Sequence, residues 1–261
     1  MKTARTAWTL VETLVVVAIA TVLLGILVPA VSRGLLTARE TACLAAARSF
    51  AQAVHAYAAE AGDCVPAMRV VYPDDQYSWD NTLPYVRFDK PGGGFGQVQY
   101  PYQGWFSAYV LSYAGHLSNE DAKCPIQRRE RAAEAGRPYD DSELPTYSIP
   151  EVFYFRTEVY ERRDPWSSLP ASYRVQRLSD VRFPGEKVLV FERRAWHLPD
   201  QPSMFTALGR GDSPVFTMTD GSARPAPLTS PPPFVYNSAW RYQRPVPWVT
   251  PSGVWGSDLR P

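Results

Sequence analysis

Net charge is almost absent: 27 Lys and Arg stand against 26 Asp and Glu, leaving +1. A nucleic-acid binder neutralises phosphates with a basic surplus, and this chain has none. Cysteine is scarce, with only Cys43, Cys64 and Cys124. Three are too few for a miniprotein built on disulfides, and no two have zinc-knuckle spacing. Histidine is equally scarce, and His55, His116 and His197 are scattered without an HExxH. Nucleotide-binding signatures are missing as well. Gly92-Gly93-Gly94-Phe95-Gly96 satisfies neither GxGxxG nor GxxxxGK[ST] and reads as a loop. The GxSxG turn of a serine hydrolase is not present. Asp74-Asp75 and Asp140-Asp141 are chain neighbours, as in solvated turns, rather than carboxylates facing each other across a substrate. Arg210-Gly211-Asp212-Ser213 contains an integrin-binding tripeptide, but matches this short recur by chance. The expectation is a chain with no catalytic residue and no cofactor.

The chain does have a long apolar run. Thr13 to Ser32 carries no charged residue, and within it Leu14 to Val31 reads LVVVAIATVLLGILVPAV. As a helix this run is roughly 27 Å long, near the thickness of a bilayer's hydrocarbon core. Lys2 and Arg5 precede it, and Arg33, Arg39 and Glu40 follow, so flanking charge orients it only weakly. A cleaved secretory signal would have a shorter core and an immediate small-residue cut site. A lipoprotein signal would need a Cys just after the core, and Cys43 is too distant. A plain anchor fits the hydropathy but leaves Glu12 unexplained, because a carboxylate at the membrane edge is costly unless paired.

Beyond Ser32 the pattern becomes amphipathic. Leu36, Leu44, Ala47, Phe50, Ala51, Val54, Tyr57 and Ala61 recur at steps near three or four, and Gly62-Asp63 is a stop signal. One helix is expected over 8–61, roughly 80 Å by its rise, with about 13–32 crossing a membrane. Gly25 and Pro29 are four apart, so the helix should bend or loosen where Pro29 cannot donate to the Gly25 carbonyl.

The remainder reads as a soluble α+β domain over 62–224. Trp105 to Leu117 predicts a short buried helix. Strands are expected at Thr146 to Ile149, Val152 to Thr157, Tyr173 to Leu178, Lys187 to Glu192 and Val215 to Thr219. Asp220-Gly221 is a turn signal, with Ser222 to Pro225 returning as a strand. Nine Pro and several aromatics fill 225–261, which predicts an extended tail draped on the domain or on a neighbour.

Ala7 to Glu12 reads A-W-T-L-V-E. This resembles the prepilin processing site of type IV pilins and type II secretion pseudopilins. In that family a basic leader is cut before an aromatic residue, a Glu follows four residues later, and an apolar helix comes next. Here Met1 to Ala7 is the leader, Trp8 the new terminus and Glu12 the Glu; Ala7 replaces the usual Gly and Trp8 the usual Phe. Pro29 falls where many such pilins carry a kinking Pro. Later segments resemble a pseudopilin-like group typical of planctomycetes: Cys43 to Tyr57, Trp105 to Tyr113, Cys124-Pro125, Thr146-Tyr147-Ser148, Val188 to Glu192 and Phe216 to Gly221. Ser222 stands where that group usually has His, and nothing after Pro225 is matched.

The resemblance implies a pilin-like fold, in which a long transmembrane-to-periplasmic helix packs on an antiparallel sheet. It implies cleavage and methylation at Ala7 and Trp8 by a prepilin peptidase, and assembly through Glu12 with other pilin-like subunits. The location implied is a single-pass inner membrane protein with a cytoplasmic amino terminus and a periplasmic or extracytoplasmic domain. Disulfides are allowed there. Cys43 and Cys64 would be about 30 Å apart on one straight helix, although Cys64 lies just past its expected end. Cys124 can fold back onto either. The resemblance places Cys43 and Cys124 at recurring positions, and one Cys should stay free. Some pseudopilins bind calcium in a late loop, which makes Asp212 and Asp220 weak candidates, although no metal is expected. The alternative is a membrane-anchored binding protein for glycan or envelope polymer that never polymerises. A tethered hydrolase has no convergent catalytic set to rest on.

Overall fold

Alanine and unbranched residues fill the stretch after the apolar run and favour a helix, which continues the run without a break. In the computed structural model, α1 spans Leu10–Glu60, 51 residues. The structure describes residues 10–67, 86–89, 95–98, 107–118, 120–127, 146–154, 157, 174–192, 214–226 and 252–258. Two units divide the chain, Met1–Thr41 and Ala42–Pro261.

The first unit, as described, is the amino-terminal part of α1. Residues 25–33 stay helical, so Pro29 removes one donor without ending the element. Hydroxyls in this part turn inward on the backbone. Thr21 Oγ1 donates to Val17 O at 2.7 Å and Ser32 Oγ to Val28 O at 2.9 Å. Such bonds satisfy hydroxyl groups that have no polar neighbour.

In the second unit the rest of α1 buries a stripe of Cys43, Ala47, Phe50, Ala51, Val54 and Ala58. Their three- and four-residue steps keep them on one face. The stripe runs from Cys43 to Ala58, with Leu44 and Tyr57 packed at its margin and Leu36 exposed. The helix stops at Gly62 and Asp63, both with positive φ (65° and 69°), where Asp63 N donates to Ala58 O at 2.7 Å. That bond is the six-to-one closure of a Schellman stop, which Gly at this position favours.

β1 (Val86–Asp89) and β2 (Phe95–Val98) pair antiparallel. No strand is expected here from the sequence, and the loop reading of Gly92 to Gly96 is corrected at Phe95 and Gly96. Glycines cluster in the 90–94 connection and mask the strand pattern on either side of it. α2 (Ser107–Tyr113) ends before the predicted Leu117 and buries Ala108 and Leu111; Trp105 and Phe106 lie outside the described residues. Gly115, at φ 78°, follows it.

The main sheet has strand order β3-β4-β5-β6, all antiparallel: β3 (Tyr147–Ser148), β4 (Val188–Glu192), β5 (Val215–Met218) and β6 (Ala223–Pro225). Register shifts between Val188 and Val190, where β4 pairs with β5. This β-bulge explains why consecutive Leu189 and Val190 both join the core under α1 while Val188 joins a second cluster with Phe216 and Met218. Helix and sheet meet at Phe50 and Tyr147, whose ring centroids are 5.9 Å apart. Tyr147 also donates its hydroxyl to Cys43 O at 2.8 Å.

Two predicted strands are not strands over their described residues. Glu151–Phe153 is a 3-10 turn closed by Phe153 N on Pro150 O. Val152, Phe153 and Tyr154 are all buried, so the alternation of a two-faced strand is unavailable here. In the Tyr173 to Leu178 segment, Arg174 and Gln176 donate to Tyr154 O and Phe153 O, while Arg177 makes an isolated bridge with Cys64. Divided between two partners, the segment forms no ladder, and Leu178–Asp180 closes it as a 3-10 turn.

Candidate functional site

The first candidate is the surface of α1. Its residues from Leu10 to Leu36 expose large apolar side chains, among them Leu14, Val17, Ile19, Leu23, Ile26 and Val31. In water that much exposed apolar surface is unfavourable by roughly 25 cal/mol per Å². The helix is long and apolar enough to cross a membrane. Glu12 stands in its first turn, and a Cβ added at Gly25 would meet nothing within 4 Å. Ala7 and Trp8 lie outside the described residues.

The second candidate is a buried cluster where α1, the Cys-Pro segment and the sheet converge. Cys43 and Cys124 form a disulfide with Cα atoms 5.3 Å apart, 81 residues apart in sequence, and Cys64 is not in a disulfide. A loop of that length loses about 4.5 kcal/mol of unfolded-state entropy in the chain-closure model. The Cys124 amide donates to Thr146 Oγ1 at 2.7 Å, and Thr146 in turn donates to Gln127 Oε1. Glu192, at the end of β4, is fully buried beside the sulfurs, and its Oε2 accepts the Val215 N–H at 3.1 Å. One ligand atom from each of Cys43, Cys124 and Glu192 lies within 4.8 Å of the others.

The third is an ion pair. Lys187 and Asp258 are both fully buried, with Nζ 2.8 Å from Oδ1. Lys187 also donates to Gly253 O at 2.7 Å, and Val188 N–H donates to Asp258 Oδ2 at 2.9 Å. Burial pushes the Lys187 ammonium below its ordinary range, opposed by the charge and hydrogen bond of Asp258. The pair fastens residues 252–258 to the root of β4. Val254, in a 3-10 turn, enters the same core as α1. Gly253 fits there because it has φ 54° and a Cβ would lie 3.3 Å from Thr157.

Asp220 sits in the β5–β6 turn, where its Oδ1 accepts Ser222 N and Oγ at 2.9 and 2.7 Å. It builds the turn, and Asp212 lies outside the described residues. His116 packs edge-on against Tyr57 and reaches Glu60 at 3.5 Å, a packing position at the end of α1. His55 is half-buried on α1, and His197 lies outside the described residues, as do the paired acids and the Arg-Gly-Asp tripeptide.

Sequence reasoning did not find the Lys187–Asp258 pair or the burial of Glu192. The only available signal was a charge at each end of the apolar run Val188 to Phe191, and flanking charges more often mark a strand leaving the core. No family model matches the chain, and neither a curated protein nor a solved structure matches it.

Proposed function

We propose that the protein is a structural subunit of a type IV pilus-like filament or a type II secretion pseudopilus. A prepilin peptidase processes it, and α1 inserts it in the inner membrane. The observation that carries this reading is the division of α1. Its first part exposes uncharged apolar side chains, and its later part is the buried spine of an α+β domain. A soluble enzyme has no use for the first part. A lone anchor has no use for the Ala7 to Glu12 pattern before it. On this reading the domain is carried outside the cytoplasm, where the Cys43–Cys124 bond persists. The protein is then the substrate of a peptidase and acts by packing against other pilin-like subunits.

Intact-mass measurement on protein from membranes tests the reading. The expected chain lacks Met1 to Ala7 and carries a methyl on the Trp8 amine. A chain that keeps Met1, or one cut after Val31, would overturn it.

A further inference from the structure

We infer that in its reduced state the protein holds a divalent cation of the zinc class between Cys43, Cys124 and Glu192, so that one buried position is a disulfide in oxidising surroundings and a metal site in reducing ones.

Geometry is the first support. The three residues come from α1, the Cys-Pro segment after α2 and the end of β4, yet their ligand atoms lie within 4.8 Å of one another. A tetrahedral zinc ion with Zn–S near 2.3 Å separates its two sulfurs by about 3.8 Å. With Cα atoms 5.3 Å apart, side-chain rotation reaches that separation once the bond is broken. Two thiolates and a carboxylate suit a borderline-soft dication and leave one position for water or a carbonyl.

Chemistry is the second support. A carboxylate buried beside two sulfurs, with its Oε2 accepting the Val215 N–H at 3.1 Å, is a hard oxygen ligand placed next to two soft ones. A dication held by the two thiolates would meet its charge directly, which offsets the cost of burying it. The surrounding shell is polar at the right points. Tyr147 pairs with Glu192 across β3 and β4 and donates to Cys43 O at 2.8 Å, fixing the backbone that carries one sulfur.

The conversion balances. A phosphine reductant breaks the S–S bond and is oxidised to its oxide with oxygen from water. The two protons of that water go to the thiols. Binding of the dication then releases both protons.

The test uses the full chain in detergent, reduced anaerobically with a phosphine and titrated with Co2+ and then Zn2+. The expected result is one equivalent of Co2+, with a sulfur-to-cobalt charge-transfer band that Zn2+ abolishes. The oxidised chain should bind less than a tenth as much. Glu192→Gln should weaken affinity at least tenfold, and Cys64→Ser should leave it unchanged. The inference is overturned if the reduced wild type shows no charge-transfer band, if the oxidised chain binds equally, or if Cys64→Ser loses the band. The reduced wild-type spectrum decides the matter even if Glu192→Gln does not fold.

Discussion

At the scale of single residues, the least expected feature is Lys187 facing Asp258 with no solvent at either side chain. Two charges taken out of water cost several kcal/mol each, and their attraction repays this only where the remaining hydrogen-bonding groups are met. Here Gly253 O and Val188 N–H meet them. Asp258→Asn leaves the ammonium buried without its counter-ion and should cost about 3–5 kcal/mol. Replacing both partners with apolar residues, Lys187→Met with Asp258→Leu, should recover part of that. A residue of about 1–3 kcal/mol should remain, because Val188 N–H loses its acceptor. Urea unfolding followed by tryptophan fluorescence, with the disulfide intact, checks both. A double variant no more stable than Asp258→Asn would show that shape rather than charge matters at this site. The pair was invisible in the sequence because its members are 71 residues apart, and nothing in a Pro- and aromatic-rich stretch marks Asp258 as an inward residue.

At the scale of elements, the stop of α1 governs what lies beside it. Asp63 O accepts Leu178 N–H at 2.9 Å and its Oδ2 accepts Ser179 N–H at 2.9 Å, so the helix end is fastened to the 178–180 turn. Hydrogen bonds from Ser179, that of its side chain foremost, hold the Asp63 carboxyl below the usual carboxylate range; burial opposes them, and the charges of Arg177 and His55 assist. A folded pKa below the unfolded one gives stability that is present above about pH 3.9 and is lost as pH falls through the folded value. Thermal unfolding from pH 6 to pH 3 should therefore show a shallower acid loss for Asp63→Asn than for the wild type. Asn tolerates the positive φ, so backbone strain should not confuse the comparison. Equal slopes would remove Asp63 from the acid response. Elements with a clear local signal were legible in advance: α1 from its three- and four-residue apolar steps, β4 and β5 from their apolar runs, and β6 from the Asp220-Gly221 turn that precedes it. Those without a period were not. Val152 to Tyr154 buries consecutive side chains in a turn, and β1 and β2 are divided by glycines. Glu192 could be read as a strand end, but its depth depends on α1 covering that end of the sheet, which is a tertiary fact.

At the scale of the whole molecule, the division of α1 poses a question that Glu12 answers on the proposed reading. A simple anchor gains nothing from a carboxylate one residue before its uncharged run, since a charge drawn into the bilayer costs several kcal/mol unless a cation meets it. On the proposed reading, cleavage after Ala7 would create such a cation, the α-amine of Trp8. Within one helix that amine lies about 6 Å along the axis from Glu12, and an amine from a neighbouring subunit can approach more directly. A pairing between subunits fixes their axial stagger, as a single buried polar residue fixes register in a coiled coil. Glu12→Leu should accordingly insert in the membrane as well as the wild type or better, because it removes the costly charge, yet fail to enter assemblies with wild-type subunits. The measurement is membrane fractionation combined with crosslinking of tagged variant to untagged wild type in the same cells. Glu12→Asp should retain partial incorporation, since it keeps the charge on a shorter stem, whereas Glu12→Gln should behave like Leu in assembly. Full incorporation of Glu12→Leu would reject the pairing and leave α1 as the anchor of a protein that works alone.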